Sequence, residues 1–448
     1  MLRSLLIQEK QIALLTDLYE LTMSAAYWTH EVKQNATFEL YFRRLPRNRS
    51  YIIAAGLEQA LHYLTSFHFT SESIDYLRSL DVFKNVKHQF WEYLAELKFT
   101  GNIRAIPEGT PVFPLEPVIQ VTAPLIEAQV AETYLLSVMN MQSMIATKAA
   151  RVVSAARGVP CVEFGTRRAH GPQSSLYAAR ASYIGGCIGT SNTLAGLLCE
   201  IPVFGTAAHS YIMAFPTELE AFQTFQSVFP DHSTLLIDTY DTLAAAEKLK
   251  TLGKVQGVRI DSGDLADLAR KVRAILDRNG MHDVKIFLSG DLNEYKIHEF
   301  RKEGVPVDYF GVGTELSTSY DDPAMSGVYK MVEIETDGKM VPKIKASPDK
   351  PSFPGKKQVY RFQNRDVIAL DDEPPPKDGM PLLQDVLKNG KLIRDLPPIE
   401  ESRKYAAECL SYFPENFHDL THPADYDVQL SDALTNLHKQ IADKVRSH

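Results

Sequence analysis

A strand–helix rhythm that begins at Pro160 constrains the fold of this chain more than any other feature. Short apolar stretches, each suited to a buried strand, recur with a helical stretch between most of them. They begin near Cys161, Ile184, Val203, Thr234, Val255, Val284 and Val307. Alternation of short apolar strands with helices is typical of a parallel sheet. Seven units in series favour a barrel, and an open doubly wound sheet is the alternative.

Polar residues cluster where the first three apolar stretches end, between Cys161 and Tyr211. Each stretch stops at Gly-Thr or Gly-Thr-Ser and is followed by charged or hydroxyl side chains. In a barrel of parallel strands, the residues that directly follow the strands share one face, and ligands bind there. The polar residues of these strand ends are Glu163, Thr166, Arg167 and Arg168; Thr190, Ser191 and Asn192; and Thr206, His209 and Ser210. We therefore expect these charged and polar side chains to line one pocket at the mouth of a barrel.

Glycines follow the last two apolar stretches, in Ser289-Gly290-Asp291 and in Gly311-Val312-Gly313-Thr314. Backbone N–H groups that stay open at the start of a helix bind phosphate without any side-chain charge. An ordinary tight turn is the simpler explanation for one such loop. Because two such loops follow neighbouring strands, phosphate binding and tight turns are equal alternatives for this pair of loops.

Charged residues at the strand ends suggest further ligand contacts. Arg167 and Arg259 have the planar group that pairs with a carboxylate or phosphate through two hydrogen bonds, and a surface ion pair is the alternative for each. Asp261 and Asp264 suit ribose hydroxyls, or Mg2+ that carries a phosphorylated ligand. Helix capping is the alternative for both, and it is favoured for Asp264, whereas a functional role is favoured for Asp261.

His209 is the most informative single residue. It closely follows the Gly-Thr of the third stretch, and no neighbouring Cys, Asp or Glu in the sequence suggests a metal site. At a barrel mouth among phosphate-binding loops, an imidazole acts either as a general base or as the acceptor of a phosphoryl group. Composition does not choose between these roles, and an ordinary core or surface histidine is the third alternative.

The flanking regions lack the strand–helix rhythm. A helix is expected over residues 11–30, where spacing alone makes Tyr19 a core aromatic residue. Residues 328–345 predict a hairpin that turns at Asp337-Gly338. We therefore divide the chain into an N-terminal α+β domain (1–150), an α/β barrel (151–325) and a C-terminal segment of hairpin and helices (326–448).

The composition and charge of the 448-residue chain limit which kinds of partner and which cellular compartment we expect. A net charge of −8 gives no reason to expect a nucleic acid or a membrane surface as a partner. The start of the chain lacks the apolar region of a secretory signal, and no run approaches the ~20 apolar residues of a membrane helix. The four cysteines form no CxxC pair and no zinc spacing with histidine, which favours a reducing, cytoplasmic setting and no protein-bound metal.

Several segments, in this order along the chain, resemble nicotinate phosphoribosyltransferases over about residues 11–361. They are TDLYELTM (16–23), FRRLPRNRSYIIAAGL (42–57), EFGTRRAHGP (163–172), GTSNTLAG (189–196), FGTAAHS (204–210), VRIDSGDL (258–265), SGDLNE (289–294), YFGVGTELSTS (309–319) and PGKKQVYR (354–361). Each segment alone is a weak signal, whereas their joint order is highly specific. The resemblance implies a type II phosphoribosyltransferase: an irregular (β/α) barrel with a flanking α+β domain, on which the C-terminal segment packs.

The same resemblance implies a reaction and its partners. Nicotinate and phosphoribosyl pyrophosphate give nicotinate mononucleotide and pyrophosphate, coupled to ATP hydrolysis, in the entry step of NAD salvage from nicotinic acid. Mg2+ is expected to accompany phosphoribosyl pyrophosphate and ATP. A homodimer with active sites shared between its subunits is expected as well.

Matching the motifs residue by residue, the resemblance implies roles around the pyridine ring. His209 resembles the residue that ATP phosphorylates. Tyr19, delivered by the partner subunit, and Phe164 resemble the aromatic rings that cover the two faces of the pyridine. Thr206 and Arg259 resemble the residues that contact nicotinate.

Roles around the phosphoribosyl group are implied in the same way. Asp261, as a catalytic residue, and Asp291 resemble the groups that serve the ribose. Arg167 would face the phosphoribosyl group or the pyrophosphate. The loop residues expected to contact the sugar phosphate, with its 5′-phosphate held by the glycine loops, are Ser289, Gly290, Gly311, Gly313 and Thr314.

The neutral residues Ser191 and Asn192 favour an acid over an amide as substrate. The relative that uses nicotinamide has an acidic residue near this position, and an acid there would repel the nicotinate carboxylate. Quinolinate phosphoribosyltransferase is the nearest rival, but it needs more basic residues and no phosphorylated histidine. The sequence is also compatible with a barrel lyase or hydrolase that uses Asp238, Asp241 and Asp261, and with a ligand-binding protein that lacks catalysis.

Overall fold

The computed structural model describes residues 7–345 and 352–446. The prediction about a secretory start lies partly outside this range, because it includes residues 1–6. The chain forms two compact units. The first consists of Met1–Ser143, Ala324–Pro398 and Ala424–His448, and the second of Met144–Pro323 and Ile399–Pro423. The three-domain division predicted from the sequence stays a prediction.

Both units of the chain contain strands and helices. The strands are β1 (Asn35–Phe42), β2 (Ile52–Ile53), β3 (Asn102–Ala105), β4 (Pro111–Val112), β5 (Pro117–Pro124), β6 (Cys161–Glu163), β7 (Gly189–Thr190), β8 (Thr234–Leu236), β9 (Gly257–Ile260), β10 (Lys285–Leu288), β11 (Tyr309–Val312), β12 (Gly327–Thr336), β13 (Lys339–Pro342), β14 (Lys357–Arg361), β15 (Arg365–Leu370), β16 (Met380–Pro381), β17 (Gln384–Lys388), β18 (Lys391–Leu392) and β19 (Asp427–Leu430). The helices are α1 (Leu18–Thr29), α2 (Leu57–Ser66), α3 (Ser71–Ser79), α4 (His88–Glu96), α5 (Leu125–Gln129), α6 (Glu132–Ala155), α7 (Pro172–Ile184), α8 (Thr193–Cys199), α9 (His209–Met213), α10 (Glu218–Val228), α11 (Thr242–Lys248), α12 (Leu265–Arg278), α13 (Glu294–Lys302), α14 (Thr314–Ser317), α15 (Ile399–Ser411) and α16 (Asp432–Arg446).

Antiparallel pairing predominates in the first unit, and the pair of β15 with β19 is parallel. Its largest sheet has the order β13-β12-β1-β5-β3-β17-β18, and a second sheet has the order β16-β14-β15-β19. The predicted hairpin is confirmed, because β12 pairs with β13 and Thr336 lies opposite Lys339. Asp337 and Gly338 form its turn with φ of 50° and 74°, the left-handed conformation that a two-residue hairpin turn requires.

The second unit contains the predicted parallel sheet. Its order is β7-β6-β11-β10-β9-β8, and a parallel bridge from Thr190 to Val203 continues it beyond β7. The sheet therefore runs from β8 to Val203 with all of its strands parallel, and the helices α7 to α13 lie in the connections between them. This arrangement confirms the predicted irregular (β/α) barrel beside an α+β unit.

The predicted strand at Ile184 is wrong. Ile184 is the last residue of α7, and the second strand begins at Gly189. The apolar run was misleading because Ile184 is buried on a helix, and a short buried helical segment has the same composition as a strand. A Cβ on the following Gly185 would lie 2.3 Å from the carbonyl oxygen of Ala146, so glycine is needed there to let α7 pack closely on α6.

Capping side chains stand at four of the passages from a barrel strand into the following helix. The side chains of Asn192, Asp241, Asp264 and Asn293 accept hydrogen bonds from backbone N–H groups in the first turns of α8, α11, α12 and α13. Such caps satisfy N–H groups that a helix leaves without partners. The capping role favoured for Asp264 is confirmed by its bond from the N–H of Asp267.

Candidate active site

A cavity of about 510 Å³ lies at the carboxyl ends of the barrel strands in the second unit. Residues that follow β6, β7 and Val203 line it, together with residues at the ends of β8 and β9. Its polar lining is Thr166, Arg167, Ser191, Thr206, His209, Ser210, Arg259 and Asp261. The expected convergence of the strand ends on one pocket is therefore present, and His209 and Arg259 lie on the same side of the barrel.

Arg259 links three strand ends through its guanidinium group. Its Nε donates to Ser289 Oγ (2.8 Å), Nη1 to Thr206 Oγ1 (3.0 Å) and Nη2 to Asp261 Oδ1 (2.6 Å). Ser289 Oγ also donates to Asp261 Oδ1, at 2.5 Å. Only 15% of the Arg259 side chain is exposed, so this charge stays fixed at the cavity wall by hydrogen bonds in several directions.

Phe164 provides the aromatic surface of the cavity. Its ring stacks on Phe287 with the centroids 5.3 Å apart and an interplanar angle of 5°, and the Arg259 guanidinium carbon lies 5.6 Å from its centroid. A Cβ on Gly311 would lie 2.6 Å from Phe164 Cδ2. Gly311 is therefore inside β11 against these rings, and the packing alone requires a glycine. Its predicted contact with phosphate stays a prediction.

His209 is the first residue of α9, and 41% of its side chain is exposed. Its Nδ1 lies 3.1 Å from Thr239 Oγ1, and its Nε2 lies 3.9 Å from Asp261 Oδ2. Asp238 contacts the residues that directly follow β9, since its Oδ2 accepts hydrogen bonds from Asp261 N (2.9 Å) and Ser262 Oγ (2.6 Å). Thr239 was not predicted as a site residue, because nothing in the local sequence pattern pairs it with a residue thirty positions earlier.

The loops after β10 and β11 border the same region. Gly290 and Asp291 have φ of 95° and 46°, and a Cβ on Gly290 would lie 1.9 Å from the carbonyl oxygen of Asp261. Glycine is thus obligatory at position 290. Gly313 precedes α14, next to the backbone of Phe164. Both loops therefore lie beside residues that line the cavity.

Glu163 is excluded from the cavity although it stands at the end of β6. Glu163 is fully buried, and its carboxylate accepts hydrogen bonds from Gly165 N and from Thr190 Oγ1. Burial raises the pKa of Glu163, while these two hydrogen bonds oppose the rise. The side chain ties two neighbouring strand ends together rather than facing a ligand.

Tyr19 belongs to the first unit, on α1, where it is 45% exposed. Its hydroxyl donates to Glu132, and burial, followed by the charge of Glu132, raises the pKa of Tyr19. The structure of one chain does not test its predicted delivery to a partner's active site, which stays a prediction.

Neither a cluster of metal ligands nor a membrane span is found in the part of the chain that the structure covers. No group of three or more His, Cys, Asp or Glu side chains within residues 7–345 and 352–446 is arranged to hold a metal ion. No helix in those ranges combines the length and the apolar character that crossing a bilayer requires.

Comparisons with known proteins identify the family. Residues 14–140 match the nicotinate phosphoribosyltransferase N-terminal domain, and residues 380–438 match the C-terminal domain of that enzyme. A nicotinate phosphoribosyltransferase of Mycobacterium tuberculosis, pncB2, is 42% identical in an alignment of 434 positions that covers 94% of this chain and 92% of the relative. The chain belongs to the nicotinate phosphoribosyltransferase family. A nicotinate phosphoribosyltransferase of Bacillus subtilis is 38% identical over 98% of this chain and 97% of its own length.

Solved structures agree with this membership. The human nicotinic acid phosphoribosyltransferase superposes with a TM-score of 0.83 at 30% identity, over 95% of this chain and 99% of the human one. A nicotinate-nucleotide pyrophosphorylase from Pyrococcus furiosus gives a TM-score of 0.76 at 27% identity, over 92% and 99% of the two chains. Residues 145–321 match the quinolinate phosphoribosyl transferase C-terminal domain, so this barrel type is common to both enzymes. The family and the fold predicted from the sequence are confirmed.

Proposed function

We propose that this family member joins nicotinate to phosphoribosyl pyrophosphate, giving nicotinate mononucleotide and pyrophosphate, with ATP hydrolysis coupled through a phosphohistidine at His209. The reaction begins NAD salvage from nicotinic acid. One observation supports the proposal above all others: His209, Arg259, Asp261 and Phe164 line a single cavity at the strand ends of the barrel.

The nicotinate ring is proposed to lie on Phe164, with its carboxylate near Arg259 and Thr206. A flat pyridine gains contact area on an aromatic face, and a guanidinium held at the wall complements a carboxylate. Ser191 lines the cavity without a charge, while Asn192 is used to cap α8. The absence of an acid at these two positions removes a repulsion that nicotinate would otherwise meet.

The phosphoribosyl group is proposed to occupy the side of the cavity near Asp261. Cleavage of the bond between C1 and pyrophosphate builds positive charge on the ribose, which the carboxylate of Asp261 stabilises, while Asp291 binds ribose hydroxyls. The loops around Ser289-Gly290 and Gly313-Thr314 offer backbone N–H groups to the 5′-phosphate. Arg167, exposed beside the cavity, stabilises the departing pyrophosphate.

Mg2+ is proposed to enter with the substrate phosphates. The site fits this role, because Asp238 Oδ1 is buried and accepts no hydrogen bond from the described residues. Mg2+ usually keeps several waters and takes only one or two carboxylates together with phosphates, so Asp238 and Asp261 suffice as protein ligands. When bound, Mg2+ neutralises charge on the pyrophosphate.

A homodimer with shared sites is proposed from exposed apolar side chains in each unit. On α8, Leu194, Leu197 and Leu198 are exposed to 49%, 76% and 63%. On α1, Leu18 and Tyr19 are exposed as well. Apolar patches of this kind mark interfaces, and the Tyr19 ring would then complete the pyridine site of the other subunit. None of the four cysteines, all of which lie in the described residues, forms a disulfide, which supports a cytoplasmic location.

Product analysis tests the proposal directly. The enzyme is incubated with phosphoribosyl pyrophosphate and nicotinate, nicotinamide or quinolinate, each with and without ATP. Nicotinate mononucleotide should form fastest, and ATP should stimulate its formation. Quinolinate is the second candidate because residues 145–321 match the quinolinate enzyme; release of carbon dioxide from quinolinate as the main reaction would overturn the proposal. Ligand binding without turnover would indicate a non-catalytic protein.

A further inference from the structure

The contact between Thr239 and His209 assigns a role to a residue outside every motif on which the family resemblance rests. Thr239 Oγ1 lies 3.1 Å from His209 Nδ1, within the usual range of a hydrogen bond. The other polar neighbour of the ring, Asp261 Oδ2, lies 3.9 Å from Nε2 and is too distant for one. Within residues 7–345 and 352–446, Thr239 thus provides the one side-chain hydrogen bond to the imidazole.

We propose that Thr239 is the positioning residue that directs Nε2 of His209 toward the phosphoryl donor. This inference deepens the proposed function and rests on it, since it requires His209 to accept a phosphoryl group. A neutral imidazole has one N–H and one lone pair. When Nδ1–H donates to Thr239 Oγ1, the lone pair stays on Nε2, the nitrogen opposite the hydrogen bond.

The phosphoryl transfer can then be written with every bond accounted for. The Nε2 lone pair forms a bond to the γ-phosphorus of ATP, and the bond from that phosphorus to the bridging oxygen breaks, so that ADP leaves with the electron pair. The ring becomes positively charged, and its proton stays on Nδ1 in the hydrogen bond to Thr239. In hydrolysis, a water oxygen attacks phosphorus, the Nε2–phosphorus bond breaks, and its electron pair returns to Nε2. Both water protons leave with the phosphate as dihydrogen phosphate, and the ring is again neutral with its proton on Nδ1.

The backbone around Thr239 is held on both sides, which makes the position of its hydroxyl reproducible. Asp238 before it accepts hydrogen bonds from Asp261 N and Ser262 Oγ. Asp241 after it caps α11, accepting from Leu243 N (3.0 Å) and Ala244 N (2.9 Å). A β-branched threonine also has restricted χ1 freedom. The hydroxyl therefore has a fixed position, and its hydrogen bond can orient the imidazole.

Asp261 is a poorer candidate for this positioning role. Its Oδ1 already accepts hydrogen bonds from Arg259 and Ser289. A carboxylate that held a proton on Nε2 would also remove the lone pair that phosphorylation needs. Nδ1 has a partner within hydrogen-bonding distance and Nε2 does not, so a hydrogen bond to Thr239 can hold the proton on Nδ1 and leave the Nε2 lone pair available.

Labelling with γ-32P-ATP tests the inference on the full-length enzyme. Thr239→Val removes the hydroxyl and keeps the branched shape, Thr239→Ser keeps the hydroxyl, and Thr224→Val on the exposed face of α10 is the matched control. One lost hydrogen bond predicts that Thr239→Val forms the acid-labile phosphoenzyme about tenfold more slowly. Thr239→Ser and Thr224→Val should label close to the wild-type rate, and His209→Ala should not label.

Kinetics separate positioning from damage to the fold. In Thr239→Val, ATP-coupled kcat should fall with the labelling rate while the KM for nicotinate stays unchanged, because the pyridine contacts remain. Wild-type labelling in Thr239→Val, or equal losses in the valine and serine variants, would overturn the role of Thr239 alone. An unlabelled wild-type enzyme that still makes nicotinate mononucleotide would overturn the phosphohistidine at His209, and Thr239 with it. A wild type that makes no nucleotide would refute the proposed function itself.

Discussion

At the scale of single residues, Arg259 determines the geometry of the candidate site. Its guanidinium contacts side chains that follow β10 and Val203 as well as Asp261 at the end of its own strand. A planar group with donors on several edges can make these contacts simultaneously, whereas an ammonium group cannot reproduce their directions. The charge proposed to face the nicotinate carboxylate and the hydrogen bonds that fix Asp261 thus come from one side chain.

Replacement of Arg259 by lysine should therefore impair catalysis although the charge is kept. We expect kcat/KM for nicotinate to fall by about 100-fold, the effect of about 2.7 kcal/mol of lost transition-state stabilisation. Steady-state kinetics with nicotinate varied at saturating phosphoribosyl pyrophosphate measure the change. Lys271→Arg on the exposed face of α12 serves as the control. An Arg259→Lys enzyme within about threefold of the wild type would refute the role of the planar group.

At the scale of elements, a buried lysine of α6 holds the helices that follow the last two barrel strands. Lys148 is completely buried, with Nζ 2.6 Å from Glu294 Oε2 on α13 and 2.9 Å from Asp321 Oδ1 beyond α14. Glu315 on α14 lies 3.9 Å away, and burial raises the pKa of Glu315 while Lys148 opposes the rise. This cluster anchors the two loops proposed to bind phosphate.

Removing that lysine should cost more stability than removing an exposed one. Lys148→Met removes the cation 2.6 Å from Glu294 Oε2 and leaves Arg151, 3.2 Å from Oε1, as the remaining partner of that buried carboxylate. This predicts a loss of about 3 kcal/mol in the free energy of unfolding, at the lower end of the range for breaking a buried ion pair. The control Lys271→Met breaks the exposed pair with Asp267 on α12 and should cost less than ~0.5 kcal/mol. Urea denaturation measures both. Equal effects of the two lysine variants would contradict this account.

At the same scale, the buried acid Glu116 in the first unit makes the free energy of unfolding depend on pH. Burial and the adjacent Asp366 raise the pKa of Glu116 well above its usual range, and Asp366 itself pairs with Arg361, a residue of the PGKKQVYR segment. The folded chain therefore keeps a proton that the unfolded chain releases. The free energy of unfolding contributed by Glu116 is largest below its unfolded pKa and falls as pH rises through the raised folded value.

Glu116→Gln should remove this dependence, because an amide resembles the protonated acid and can still accept the hydrogen bond from Phe113 N. We expect the variant to gain stability relative to the wild type as pH rises above about 4.5, with a slope of at most ~1.4 kcal/mol per pH unit. Urea denaturation at several pH values between about 5 and 8 gives both curves. Parallel curves would show that Glu116 does not titrate in this window.

At the scale of the whole molecule, the proposed dimer connects the exposed Tyr19 to a site that one chain does not complete. Tyr19→Ala should raise the nicotinate concentration needed for half-saturation, because a stacking surface is lost. Subunits with Tyr19→Ala and with His209→Ala should regain activity when mixed, since each mixed dimer then has one intact site. At a nicotinate concentration far below the half-saturation value of the Tyr19→Ala homodimer, random reassociation predicts about a quarter of the wild-type activity. No recovery, with mixed dimers verified by tagged subunits, would place Tyr19 and His209 in the same subunit.

The sequence was most informative where local pattern fixes structure. Gly-Thr at the strand ends and Asp264 before an amphipathic helix signal their conformations within a few residues, so the barrel mouth and this cap were predictable. The error at Ile184 arose where a buried helix end has the composition of a strand. Contacts such as Thr239 with His209 depend on which strand ends become neighbours. The joining of Ile399–Pro423 to the second unit likewise depends on long-range packing, which no local pattern encodes.

The structure of the enzyme with bound nicotinate mononucleotide would test the central claim most directly. We predict that the pyridine ring lies on Phe164, with its carboxylate within hydrogen-bonding distance of Arg259 or Thr206. The phosphate should lie against the Ser289-Gly290 loop. A nucleotide bound outside the cavity that His209 and Arg259 line would contradict the account.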